Sequence, residues 1–327
     1  AFKGCTSLVA VGFDGGTGTI GEHAFEGCTS LEDLVLHDGL ESIGEFAFKG
    51  CGAISELTIP DSVTSMGDFP FTGCHGIRSL TVPVDLDTTY MFSDNDAFDI
   101  EHGHITAGST GIGFIHHVYQ YTPWYQCRAY LASLVIDDGV TSIDQEMFHL
   151  STVKSITAPV DLAMPAYFEL LEELTLTPGV NGKGLDYDAS PWAVSRLRDL
   201  TVSEGVRSIG DHTFEGCAML TGVSLPESLI SIGEYLFEGC SSLTTVTIPS
   251  GIHIIPWEAF KDCSKLAEIG LPQTIWGIGD SAFQGCTSLD IDLGSLEVRQ
   301  IGEAAFQGCS SLSAVILPTT LTYIGSV

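Results

Sequence analysis

The chain has 327 residues, 42 of them Asp or Glu against 12 Lys or Arg, for a formal net charge of −30, yet 44% of it is hydrophobic. That apolar content describes a folded protein and not a solvated acidic tail. The charge sets nucleic acid and anionic membrane surfaces aside as partners, because both are held by Lys and Arg that displace counterions. No apolar run reaches the length of roughly 18 residues that a bilayer span needs, so no direct membrane insertion is expected.

The opening stretch AFKGCTSL returns as AFEGCTSL from Ala24 and AFQGCSSL from Ala305, and in part as AFKGC from Ala47. Cys5, Cys28, Cys51 and Cys74 fall at every twenty-third position, as do Cys217, Cys240, Cys263, Cys286 and Cys309, and only Cys127 of the ten stands outside the series. Irregular spacing in a short secreted chain would suggest a disulfide framework. A fixed period of this size instead marks a solenoid of stacked coils. Equivalent side chains in a stack point the same way, so the nine in-phase cysteines are expected to be reduced thiols.

Within one coil, Leu34 and Leu36 alternate with a single residue between them and so share a face of a short strand. Pro60, Pro83, Pro226, Pro249, Pro272 and Pro318 follow the strand and, having no N–H, end its ladder. The Ile–Gly pairs at 43–44, 209–210, 232–233 and 301–302 read as a buried residue followed by a turn that needs a permissive backbone. Phe2, Phe25, Phe48, Phe71, Phe148, Phe214, Phe237, Phe260, Phe283 and Phe306 share one phase, which predicts an interior column of rings. Each buried ring would contribute roughly 1.5–3 kcal/mol. The Cys three positions later fills a tight corner and the Gly before it makes the turn. Strand anchors fall near residues 11, 34, 57, 80, 134, 156, 174, 200, 223, 246, 269, 292 and 315, which gives 13 to 14 coils. Thr58, Thr81, Thr157, Thr175, Thr201 and Thr247 occupy outward strand positions, as β-propensity alone would place them.

Residues 1–84 and 200–327 are regular, whereas 85–199 are degenerate. SLTVPVDL (79–86) recurs as SITAPVDL (155–162), so a longer module is read as duplicated, its first copy carrying extra residues near 90–120. Gly16 to Gly21 spell GxGxxG, but no βαβ unit surrounds them and Gly21 belongs to an Ile–Gly turn, so no dinucleotide site is inferred. Asp94, Asp96, Asp99 and Glu101 crowd one loop without the ligand order of a calcium loop. His102, His104, His116 and His117 lack a zinc-motif partner, so no metal and no cofactor is predicted. Tyr119, Tyr121, Trp124, Tyr125 and Tyr130 fall in the same stretch, either as the core of a larger coil or as a binding surface. His116, His117, Tyr119, Tyr121, Trp124 and Tyr125 are the candidate ligand-binding residues, because the repeat gives them no structural duty. No nucleophile elbow, phosphate loop or paired acid and base is present, and no catalytic residue is proposed.

The pattern LxxLxLPxSLxxIGxxAFxGCxS, which covers nearly the whole chain, resembles the BspA-like class of leucine-rich repeats. It departs from the commoner leucine-rich consensus in having Gly39, Ser62 or Ser228 where Asn or Cys is usual, which puts an internal asparagine ladder in doubt. The resemblance implies a right-handed leucine-rich repeat solenoid, with a parallel β-sheet on one face and short strands or turns on the other. The chain is then expected to be one array, 1–327, and a fragment of a longer one, since neither end carries a polar capping coil. The implied function is non-enzymatic adhesion or recognition of a protein or glycan, commonly at a cell surface or in secreted form, with no oligomer implied. A structural spacer between other domains is the alternative.

Overall fold

A regular coil contributes two strands, one where apolar residues alternate and one at the Ile–Gly pair, and these add to a long row and a short row, although several coils supply only one of the two. The computed structural model describes residues 1–13, 15–16, 18–93, 99–108, 129–143, 152–163, 168–188, 190–193 and 196–326. Among these there are strands, turns and no helix. The chain forms two compact units, Ala1–Ile156 and Thr157–Val327.

In the first unit the long row holds Ala10–Gly12, Asp33–Val35, Glu56–Thr58, Ser79–Pro83, His102–Thr106 and Ser133–Ile136. The short row holds Thr19–Ile20, Ser42–Ile43 and Ser65–Met66. Pairing is parallel and joins each residue to its own equivalent one coil on, as in Leu57 with Leu80 and Ile20 with Ile43. The second unit repeats the plan. Its long row contains Glu173–Thr177, Asp199–Val202, Gly222–Ser224, Thr245–Thr247 and Glu268–Gly270. Its short row contains Ser208–Ile209, Ser231–Ile232, Ile254–Ile255, Gly277–Ile278, Gln300–Ile301 and Tyr323–Ile324. The strand Ser155–Pro159 carries the boundary between the units and has the burial pattern of Ser79–Pro83, as the echoed octapeptides require.

The phenylalanine column exists in both units. Phe2, Phe25, Phe48 and Phe71 stack with centroids 5.2 Å apart and planes within 6° of parallel. Phe214, Phe237, Phe260, Phe283 and Phe306 stack at successive spacings of 5.7, 5.5, 5.5 and 5.4 Å. Phe148 lies outside the described residues. The in-phase cysteines do more than fill a corner. Cys51 Sγ donates to the Phe25 carbonyl at 3.2 Å and Cys263 Sγ to the Phe237 carbonyl at 3.1 Å, each reaching back one coil. The same Phe25 carbonyl accepts the Cys28 N–H, so both of its lone pairs are used within the core. Where an asparagine ladder is missing, serine bridges the coils. Ser62 Oγ accepts the Gly39 N–H at 2.9 Å and donates to the Leu40 carbonyl at 2.8 Å, and Ser228 does the same between Gly205 and Val206.

Three expectations are corrected. First, His102–Thr106 is a regular strand, with His102 paired to its equivalent Ser79 in the coil before, so the extra residues do not begin near 90. They fall between this strand and Ser133–Ile136, where the equivalent positions His102 and Ser133 are 31 apart. Second, no strand forms at 292 or 315, which leaves 12 long-row strands among the described residues. Asp292 Oδ1 accepts the Gly294 N–H at 2.8 Å. That local bond competes with the ladder and turns the chain away from it, so the next coil has no strand to pair with. Third, the Ile–Gly glycines are not there for a left-handed turn. The glycines before Cys, such as Gly27 (φ 76°) and Gly50 (φ 74°), are left-handed, whereas those of the Ile–Gly pairs are not. A Cβ on Gly44 would instead lie 2.6 Å from the Glu22 nitrogen, and one on Gly67 2.4 Å from that of Glu45, because the backbone of the previous coil occupies the space.

A specific stability difference follows. Gly44→Ala must push two backbones apart and is expected to cost about 2–3 kcal/mol, the upper range for overpacking. Gly21→Ala is at the equivalent position but would meet nothing within 4 Å. It should cost less than about 0.5 kcal/mol. Urea unfolding of the two variants against the parent measures both, and equal effects would refute the close-approach role.

Candidate functional site

His116, His117, Tyr119, Tyr121, Trp124 and Tyr125 lie outside the described residues, as do Asp94, Asp96 and Cys127. Their nearest described neighbours have defined places. Tyr130 is exposed. His102 and His104 sit on the strand His102–Thr106 and face the next coil, His102 Nδ1 at 2.8 Å from Ser133 Oγ and His104 Nε2 at 2.7 Å from Asp137 Oδ1. Asp99 pairs with Arg78 at 3.7 Å. Among the described residues no group of three or more His, Cys, Asp or Glu is placed to hold a metal ion. Gly21 follows the strand Thr19–Ile20 in an ordinary coil, in keeping with a turn and not a dinucleotide cradle.

Nine thiols raise the question of nucleophilic chemistry. Cys28, Cys51, Cys74, Cys217, Cys240, Cys263, Cys286 and Cys309 are buried, Cys5 is exposed, and all nine are free thiols. Burial pushes Cys51, Cys217 and Cys286 up to about 12 and Cys309 up to about 11. Cys240 and Cys263 are raised well above the ordinary thiol range, again chiefly by burial. A thiol that stays protonated is not a nucleophile, so the column is structural.

A described surface that departs from its repeat lies on the short row of the second unit. In regular coils the glycine after Ile gives its N–H to the Ile carbonyl one coil back, as Gly67 does to Ile43 at 2.8 Å and Gly279 to Ile255 at 2.8 Å. Pro256 stands at that position and has no N–H to give. The short row accordingly divides between Ser231–Ile232 and Ile254–Ile255. A cleft of about 690 Å³ lies across the division, lined among others by Asp211, Ile230, Glu234, His253, Ile254 and Trp257. A second cleft of about 220 Å³ shares Ile254 with it and adds Trp276, Asp280, Gln300 and Tyr323. Ile230, Ile254, Trp257, Trp276 and Tyr323 are between 39% and 60% exposed. This is unusual for large apolar side chains brought together on one face.

The borders of this face are set by the coil period. Two positions after each buried Ile, one border carries Asp211, Glu234, Trp257, Asp280 and Glu303 in successive coils, so Trp257 interrupts a row of carboxylates. Asp211 Oδ1 accepts the Glu234 N–H at 2.7 Å and Asp280 Oδ1 the Glu303 N–H at 2.7 Å, which fixes both carboxylates against the backbone. Trp257 leans on Tyr235 with centroids 5.2 Å apart, and Tyr235 stacks on His212 at 4.3 Å. The opposite border carries Arg207, Ile230, His253, Trp276 and Arg299. Sequence reasoning passes over these residues because each is absorbed into a regular repeat. The signal that finds them is an apolar or aromatic residue at an outward position that is charged or small in the other coils.

A stack of coils with parallel long-row and short-row strands around a column of Phe, Leu and Ile defines a leucine-rich repeat solenoid. The chain belongs to the BspA type leucine-rich repeats, whose family model matches six times over residues 1–113, 192–295 and 278–327. Among solved structures it is similar to a leucine-rich repeat protein from Bacteroides ovatus, at 27% identity over 99% of this chain and 76% of that one, with a TM-score of 0.51. The T. pallidum leucine-rich repeat protein matches at 24% identity over 54% and 75% of the two chains, TM-score 0.40. A leucine-rich cell surface protein from Faecalibacterium prausnitzii matches at 22% over 96% and 89%, TM-score 0.38. No curated protein matches the sequence.

The thiol column has a measurable pH signature. The folded pKa values lie above the ordinary thiol value, so the stability the thiols contribute is fully present below about pH 9 and is lost as pH rises toward 11–12. The slope should be about 1.4 kcal/mol per pH unit for each buried thiol that ionises on unfolding. Denaturant unfolding between about pH 8 and about pH 10.5 should show this decline. C240A/C263A should make it shallower, and an unchanged slope would refute the assignment. Near neutral pH a thiol reagent should leave the eight buried cysteines unmodified until the protein unfolds.

Proposed function

We propose that this chain is a non-enzymatic binding module that recognises a protein or glycan ligand through an extended surface, in an adhesive role at a cell surface or in secreted form. The observation that carries the reading is the exposed apolar cluster on and beside the short strands of the second unit. Ile230, Ile254, Trp257, Trp276 and Tyr323 would be costly to leave in water at neighbouring positions if nothing covered them. Large aromatic side chains set among polar neighbours are also the residues that anchor interfaces. The rigid coils supply a surface whose side chains are held before the ligand arrives, which lowers the entropic cost of binding. The segment containing His116, His117, Tyr119, Tyr121, Trp124 and Tyr125 is proposed as a second contact, on composition alone.

The test is capture of purified extracellular proteins and of arrayed glycans by the immobilised chain, compared with I230S/W257S. A ligand is expected whose affinity falls at least about tenfold in the variant, as for an interface anchor, while the melting temperature moves by less than about 2 °C. If no ligand is retained, or if every retained ligand ignores both substitutions, the surface is not a binding site and the spacer role takes its place.

A further inference from the structure

The smaller cleft has the features of a built ligand site, and not only of an apolar stripe. It is lined by Gly277, Gly279 and Gly302 together with Ile254, Trp276 and Tyr323. The glycines have different reasons for being there. Gly279 and Gly302 are required by the close approach of the preceding coil, where an added Cβ would lie 2.8 Å from the Trp257 nitrogen or 2.5 Å from the Asp280 nitrogen. Gly302 also makes room for the Asp280 carboxylate, since its Cβ would overlap Oδ1. Gly277 has no such constraint. It lies on a strand at ordinary φ, where other coils carry Ser208, Ser231, Ile254, Gln300 or Tyr323, and a Cβ there would only touch Ile254 at 3.4 Å. Its missing side chain leaves the notch open.

Two polar groups converge on this notch. Asp280 is the only charged residue among the described residues of its lining, and its carboxylate is anchored by one oxygen to the Glu303 N–H. The other oxygen has no donor among the described residues. The Gln300 side-chain amide, a donor and an acceptor at once, likewise has no partner among them. At about 220 Å³ the notch suits a single ring. Sites for drug-sized ligands are larger, at roughly 300–1,000 Å³.

The geometry points to a neutral sugar residue of an oligosaccharide as the occupant of this notch, one face against Trp276 and its hydroxyls on Asp280 and Gln300. This rests on the reading above that the short-row face binds a ligand. The borders argue for an uncharged partner: Arg207, His253 and Arg299 stand on one side and Asp211, Glu234, Asp280 and Glu303 on the other. A polymer of one sign would gain at one border and lose at the other, whereas a neutral polyhydroxyl chain can donate to carboxylates and accept from guanidinium groups at the same time. The net charge of −30 further disfavours acidic glycans. A flat apolar ring beneath the C–H face of a sugar, beside a few fixed hydrogen-bonding groups, follows the usual plan of a small-ligand site.

Saturation-transfer NMR and calorimetry with cellohexaose, laminarihexaose, mannohexaose and xylohexaose test the assignment, using the whole chain and the variants G277V, W276A and D280N. At least one oligosaccharide should bind, with quenching of tryptophan fluorescence. G277V fills the notch with a good strand former and should weaken binding at least about tenfold, a loss of about 1.4 kcal/mol. W276A should do the same, and D280N, which keeps an oxygen for the Glu303 N–H, should weaken binding without lowering the melting temperature. Absence of binding to all four sugars, or binding that both G277V and W276A leave unchanged, overturns the sugar assignment. In that event a protein ligand still lost in I230S/W257S would leave the broader binding function standing.

Discussion

Within each unit, the regular described coils rest on copies of themselves, in register, and that constraint governs the rest. A residue's main neighbour in the stack is the residue at the same position one coil away, so a side chain is acceptable only if it packs against its own kind. Phenylalanine meets this condition by stacking, with centroids between 5.2 and 5.7 Å apart. Cysteine meets it by reaching past its equivalent to a carbonyl, and serine by bridging an N–H and a carbonyl of the coil before. Glycine meets it by having no side chain where two backbones touch. Charged residues do not meet it, and those that repeat are confined to outward rows, where solvent and salt reduce the repulsion.

The same constraint explains where a ligand can act. Interior positions are determined by the stack, and the outward rows alone can change from coil to coil without disturbing it. The second unit changes them in a cluster: Ile230, Ile254, Trp257, Gly277 and Tyr323 each replace a residue type found elsewhere in the row. Pro256 contributes by removing an N–H from the ladder, so the short row divides beneath the cleft of about 690 Å³. The lost backbone bond and the exposed indole of Trp257 are adjacent in the chain.

Much of the architecture was legible in the sequence because the period is strict and the interior residues are chemically distinctive. The phases of Phe, Cys and the strand leucines define the stack, and the echoed PVDL segments mark two strands of equal burial. The strand His102–Thr106 was hidden because Gly103 occupies the place that Leu80 and Leu134 hold on either side. The strands expected at 292 and 315 fail for a local reason, the Asp292 side chain competing for the Gly294 N–H. The Ile–Gly glycine is misread in the sequence because a one-dimensional pattern cannot distinguish an unusual φ from a close neighbour one coil away. The candidate surface was illegible for a related reason. Trp257, Trp276 and Tyr323 are distant in the chain, and they line adjoining clefts only through the stacking of coils.

The thiol and phenylalanine columns also bear on how such a chain can change its length. Cys263 Sγ bonds the Phe237 carbonyl and Cys286 Sγ the Phe260 carbonyl by the same reach. Excising one whole coil, residues 237–259, would therefore present to the remaining stack the residue types it already accepts, with Phe260 following Phe214. Loss or gain of a fraction of a coil has no such match among these regular coils, and is absorbed only where the extra residues fall between strands, as they do between His102–Thr106 and Ser133–Ile136. At the level of the gene, repeated segments that recombine out of step by whole periods would yield folded proteins of different lengths. The binding face would change more abruptly than the scaffold, since that one coil carries Ile254, Pro256 and Trp257.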